Sequence, residues 1–149
     1  MKDFHELKIW QRSHRLTLDV YRATQPFPKD EMYGLTSQMR RASASIPANI
    51  AEGCGRHGDL ELARFFQMAM GSACELEYHL LLAFDLKLLK ESEYKPMSKE
   101  VSEVKQMLAG FIKKLRAGLW LAAKFFGCNI AFRQPQVVQS GRAGGRAES

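Results

Sequence analysis

The stretch Arg40-Arg41-Ala42-Ser43-Ala44-Ser45-Ile46-Pro47-Ala48-Asn49-Ile50-Ala51-Glu52-Gly53-Cys54-Gly55-Arg56 constrains the fold of this chain more than any other. Met39, Ala42, Ile46 and Ile50 recur three and four apart, so one side of the segment is apolar and helical. The opposing positions (Ala44, Ser45, Ala48, Ala51) are small, which lets another backbone come close. Pro47 removes one helical hydrogen bond and crowds the preceding turn, so a kink is expected there. Asn49 is expected to bond backbone groups that Pro47 frees. Gly53 and Gly55 are expected to supply left-handed positions that stop the helix. A disordered loop would lack this apolar spacing, and a catalytic loop would carry a nucleophile and a base. The segment reads as packed architecture with a charged rim.

The same periodicity predicts three further helices. The first spans about Glu6 to Ala23, with Asp3 and Glu6 spaced as a capping box. Its stripe of Leu7, Trp10, His14, Leu18 and Tyr21 is expected to face the core. Gln25-Pro26-Phe27-Pro28 cannot continue it, because each proline disfavours helical geometry in the residue before. The second helix runs from about Lys29 or Asp30 to Glu52. A third is expected from Asp59, as N-cap, to about Leu89, with Leu62, Phe66, Ala69, Ala73, Leu76, Leu80, Ala83 and Phe84 inward. The fourth opens near Ser92 or Pro96. Its Met97, Val101, Val104, Leu108, Phe111, Leu115 and Leu119 alternate four and three apart, the seam of a bundle helix. No Val/Ile/Thr-rich alternating run suggests a strand, so the fold class is all-α.

A chain of 149 residues, 46% apolar, is one domain with room for a core. The bundle is expected over 1–118, with a helix extension and flexible basic tail over 119–149. Trp120, Leu121, Phe125 and Phe126 in that extension would suit a partner-binding stalk. Three cysteines without Cys-x-x-Cys spacing point to a reduced, cytoplasmic compartment. The amino terminus has no signal-peptide core, and the longest candidate membrane segment, Leu119 to Phe132, is interrupted by Lys124 and Asn129 and falls below the about 18 residues that suggest a span. No membrane role is expected.

Enzyme signatures are missing from the sequence. Di-iron bundles use paired Glu-x-x-His turns, and none of His5, His14, His57 and His79 lies three residues after a glutamate. Cys54-x-x-His57 offers two ligands where a structural zinc needs four. No Walker-type loop and no Ser or Cys nucleophile with an evident base is present. The reading is a non-enzyme with no catalytic residue, no metal and no cofactor.

Several motifs together resemble one known family. They run Phe4-x-x-Leu7-x-x-Trp10, Phe27-Pro28, Tyr33-Gly34-Leu35-Thr36-x-Gln38-x-Arg40-Arg41-Ala42, then Ser45-Ile46-Pro47-x-Asn49-Ile50-Ala51-Glu52-Gly53-x-Gly55-Arg56. Phe65-Phe66 and Ala69-x-Gly71-Ser72-x-x-Glu75-Leu76 follow. Across about residues 3–116 the chain resembles the four-helix-bundle proteins encoded in bacterial 23S rRNA intervening sequences. The resemblance implies an antiparallel up-down bundle, often assembled as a homopentameric ring. It also extends to the accessory variability determinants of diversity-generating retroelements, which bind nucleic acid and a reverse transcriptase. The expected partners are therefore a further copy of the chain, RNA or DNA, and a nucleic-acid enzyme of that kind.

Charge sharpens the expectation. The formal charge is +6, and the basic excess falls in residues 1–56, 92–116 and 117–149, while 57–91 holds three Lys/Arg against six Asp/Glu. Five copies would carry about +30, enough to concentrate phosphate. Arg40, Arg41, Arg56, Lys113, Lys114 and Arg116 are the candidate phosphate contacts, with little sequence preference expected. Replacing Arg40 and Arg41 with Ala is expected to weaken such binding and spare the helices. Trp10, Pro47, Asn49, Glu52, Gly53, Gly55 and Glu75 are candidates for architecture or a subunit interface. Glu75, beside Leu76, is expected to pair with an arginine or cap a neighbouring backbone, within the chain or across a subunit boundary. The alternative is a protein-interaction scaffold with no direct nucleic-acid role.

Overall fold

In a computed structural model, residues 3–126 are described, with side chains for residues 3–118. A 3-10 turn at Phe4–Glu6 leads into α1 (Lys8–Ala23), and another at Lys29–Glu31 precedes α2 (Leu35–Gly55). Then come α3 (Asp59–Asp85) and α4 (Glu91–Phe126). The helices run up and down in turn: α1 packs on α2, α2 on α3, α3 on α4, and α4 closes onto α1. The all-α, antiparallel four-helix arrangement is therefore as expected. No helix among the described residues is long and apolar enough to cross a membrane. The expected tail over 127–149 lies outside the described residues.

Three of the four inner faces are the anticipated ones. Met39, Ala42, Ile46 and Ile50 of α2 are buried, as are Leu62, Phe66, Ala69, Ala73, Leu76, Leu80 and Ala83 of α3. Met97, Val101, Val104 and Leu108 complete the core from α4. Two ring contacts set the register of α3 on α4. Phe84 stacks on Tyr94 at 4.5 Å, and Phe66 meets Phe111 edge-on at 5.6 Å. Continued from those pairs, the start of α3 lies level with about Gly118. At 1.5 Å per residue, α4 projects roughly 10 Å past it.

The inner face of α1 differs from the expected stripe. Ile9, Ser13, Leu16, Thr17, Val20 and Ala23 are buried, whereas His14, Leu18 and Tyr21 are exposed and Leu7 and Trp10 only half-buried. Two core positions are polar residues whose hydroxyls are satisfied inside. Ser13 donates to the Ile9 carbonyl at 2.7 Å, and Thr17 donates to the Ser13 and Ser43 carbonyls at 3.0 and 2.8 Å. A buried hydroxyl with a carbonyl partner escapes the desolvation penalty that would otherwise exclude it.

Helix ends also depart from the sequence reading. Asp3 caps the 3-10 turn, accepting from the His5 amide at 2.9 Å, and α1 itself begins later. Lys29–Glu31 form only a turn, and the Glu31 carboxylate accepts from the Leu35 amide at 3.2 Å, where α2 starts. Gly53 and Gly55 are helical, and positive φ among the described residues is confined to Gly58 (90°) and Lys87 (60°). Asp59 is the first residue of α3, with Gly58 before it at the cap. α3 stops at Asp85 rather than near Leu89. There the Leu88 amide donates to Ala83 and the Lys87 amide to Phe84, both at 2.9 Å, a Schellman closure around a left-handed lysine. α4 opens at Glu91. Its Glu93 carboxylate accepts from the Lys90 amide at 3.0 Å, half of a capping box.

Candidate nucleic-acid interface

The six candidate cations do not form one patch. Arg40 and Arg41 sit in the second turn of α2, whereas Arg56 follows its last residue, about 22 Å further along the axis at 1.5 Å per residue. Because the helices alternate in direction, the end of α2 lies with the start of α3 and the later turns of α4. Arg56, Lys113, Lys114 and Arg116 therefore share one end of the bundle, and all four are exposed. Arg64 in the first turns of α3 joins them there, exposed as well. The guanidinium groups of Arg56 and Arg64 lie 5.3 and 6.0 Å from the centre of the Phe65 ring.

Arg40 has work within the fold. Its Nε donates to the Thr24 hydroxyl at 2.9 Å and its guanidinium lies over the Tyr21 ring at 5.0 Å, tying α2 to the end of α1. Arg41 is exposed and donates to the Gln38 side chain at 2.7 Å. It also stands 3.7 Å from the Glu75 carboxylate, so the expected Glu75–arginine pair forms inside the chain. Glu75 is on the surface of α3 beside Leu76, and its carboxylate also lies 3.4 Å from His79 Nε2. Arg56 is paired with Glu52 at 2.6 Å, one turn back. That leaves Lys113, Lys114 and Arg116 as the members of the set with no ion pair, side-chain hydrogen bond or ring contact among the described residues.

The architectural candidates hold the two halves of α2 in place. Pro47 is buried within α2. The carbonyl it leaves unpartnered is that of Ser43, four residues earlier, and Thr17 of α1 supplies the missing donor. Asn49 donates instead to the Ser45 carbonyl at 2.8 Å and the Ser45 hydroxyl at 3.0 Å, so its expected role passes to Thr17. The Ser45 hydroxyl also receives that of Ser72 at 2.9 Å, joining α2 to α3 across the small-residue face. Gly53 serves contact rather than turning: a Cβ there would lie 2.9 Å from Phe65 Cβ and 3.2 Å from Leu62. Gly55 has open space around it. Trp10 stacks on His14 with ring centres 5.1 Å apart, and Phe4 and His5 extend the row.

Sequence reading missed one cluster between α1 and α4. Arg12 donates through Nε and Nη2 to the two Glu100 oxygens at 2.6 and 2.7 Å, and Nη2 also reaches Glu103. The bidentate bond holds the Glu100 carboxyl below the usual carboxylate range despite partial burial, and both carboxylates raise Arg12 above the ordinary arginine value. Glu100 and Glu103, three apart on one helix face, were the signal available. On the other side, Lys105 of α4 bonds Glu77 of α3 at 2.6 Å, which raises the lysine above its ordinary value.

The chain matches the family described as 23S rRNA-intervening sequence protein over residues 5–110. Among solved structures it is similar to a protein of unknown function from the S23 ribosomal protein family of Bacteroides thetaiotaomicron VPI-5482. Identity there is 20% and the TM-score 0.64, over 70% of this chain and 98% of that one. At that identity the likeness speaks for the fold. No curated protein matches.

Proposed function

We propose that this chain, which belongs to the 23S rRNA-intervening sequence protein family, is a non-enzymatic, self-associating bundle that binds the phosphate backbone of RNA or DNA with little sequence preference. The observation that carries the reading is the cationic end of α4. Lys113, Lys114 and Arg116 are exposed there within one turn. Between Glu103 and Glu148 the sequence has no carboxylate and eight lysines and arginines. Lysines near a helix terminus often answer the helix dipole, but α4 continues ten residues beyond Arg116, too far for that account. Arg56 and Arg64 border the same end, so a ring of copies would repeat the charge about its axis. A homopentamer, as the family resemblance implies, would bring about +30 to one particle.

The first turns of α2 contribute less in this reading, since Arg40 is committed to Thr24 and Tyr21 and Arg41 to Glu75 and Gln38. A nucleic-acid enzyme such as a reverse transcriptase is a further partner of this reading. Fluorescence anisotropy of the full chain against labelled RNA and DNA, from about 50 to 300 mM salt, tests it. Affinity should fall by about 0.9 log units per tenfold salt for each duplex phosphate neutralised. Absence of binding at the lowest salt would leave the protein-interaction scaffold in its place.

A further inference from the structure

Two apolar rows lie outside the core, on helices that do not touch. On α1, Leu18 and Tyr21 are 41% and 44% exposed beside the stacked Trp10 and His14. On α3, Tyr78 and Leu81, one turn apart near the end of the helix, are 60% and 43% exposed. α1 and α3 occupy opposite corners of the bundle, so one chain cannot cover either row with the other. Their charges are opposite too. Setting aside the groups ion-paired within the chain, α1 offers Lys8 and Arg15, and α3 offers Asp59 and Asp85. Gly71, two turns before Tyr78, stands on the same outer face of α3. A Cβ there would meet nothing within 4 Å, so no contact inside the chain calls for a glycine. Glycine is a poor helix residue, and its use mid-helix suits a surface against which a second backbone comes close.

We propose that the outer face of α3 receives α1 of a second copy of this chain, head to tail. This rests on the self-association read above and names the surfaces that make it. Apolar contact of Leu18 and Tyr21 with Tyr78 and Leu81 would exclude water, and the basic flank of α1 would meet the acidic flank of α3. Because the faces differ and lie on opposite corners, each contact leaves one face open on either copy. Such heterologous contacts continue until a ring closes.

Light scattering on the full chain and two single variants tests this, with far-ultraviolet circular dichroism confirming that each variant keeps its helices. Leu18→Glu removes the α1 face and Tyr78→Glu the α3 face, and each should reduce the assembly to single chains. Mixed together, the two variants each retain one good face, so a species of two chains should form and grow no further. Assemblies that survive both substitutions would overturn the pairing of surfaces. So would an assembly indifferent to Leu18→Glu but lost on Arg133→Glu/Arg142→Glu/Arg146→Glu, which would put the carboxy-terminal segment on α3. A wild-type chain that scatters as a monomer would instead overturn the self-association beneath the proposal.

Discussion

The Thr17 hydroxyl of α1 stands 2.8 Å from the Ser43 carbonyl of α2, the one carbonyl that Pro47 deprives of its helical donor. The hydroxyl also reaches the Ser13 carbonyl at 3.0 Å, but that oxygen already has an amide partner one turn on, so the need lies at Ser43. A buried helix can therefore carry a proline because a neighbouring helix supplies what the proline lacks. Thr17→Val should lower unfolding free energy by about 1–3 kcal/mol, the cost of a buried unsatisfied carbonyl. Pro47→Ala restores an amide, so Thr17→Val should cost measurably less in that background. Urea unfolding of the four members of this cycle reads the difference, and equal costs in both backgrounds would break the link.

Gly53 makes a second prediction that runs against helix propensity. Alanine is the better helix former, yet its Cβ would press on Phe65 at 2.9 Å. Gly53→Ala should lower stability by about 1–3 kcal/mol through overpacking, while Gly55→Ala, with open space around it, should be neutral or stabilise by up to about 1 kcal/mol. Thermal unfolding of the two variants separates them.

Lys87 holds φ at 60°, where a side chain is strained and glycine is not. Lys87→Gly should raise stability by about 1 kcal/mol despite removing four side-chain carbons. A lower melting temperature would show that the lysine makes a compensating contact.

These cases show why some of the fold could be read from letters and some could not. The faces of α2, α3 and α4 were legible because their buried positions are almost all apolar. The face of α1 was not, because Ser13 and Thr17 are polar letters at core positions while Leu18 and Tyr21 are apolar letters toward solvent. Gly53 and Gly55 look alike in sequence, and only the approach of Phe65 distinguishes them. Lys87 gave no stop signal, since a lysine rarely marks a left-handed cap. For the site, the cationic residues were legible individually. Their division between two ends of the bundle followed from helix direction, and the Arg12–Glu100 link from pairing residues 88 apart.

That link makes a pH prediction. Arg12 depresses the Glu100 carboxyl in the folded chain, so its stabilising contribution is complete above the ordinary glutamate value of 4.5. It is lost as pH falls through the lower folded value. Arg12→Met should lower stability at neutral pH by about 2 kcal/mol and flatten the loss of stability below about pH 5. Unfolding curves of both proteins across the acid range check this. A variant as acid-sensitive as the wild type would mean that other carboxylates govern the transition.

The central claim is that the end of the bundle bearing Lys113, Lys114 and Arg116 meets phosphate, and the most direct measurement reverses those charges. Anisotropy titration should compare the full-length wild type with Lys113→Glu/Lys114→Glu/Arg116→Glu and with Arg41→Glu on one labelled RNA. The account predicts at least about a tenfold loss of affinity at low salt for the triple variant, with its salt slope reduced by about 2–3, and Arg41→Glu within about twofold of wild type. A triple variant that binds like the wild type, with Arg41→Glu failing to bind, would contradict it.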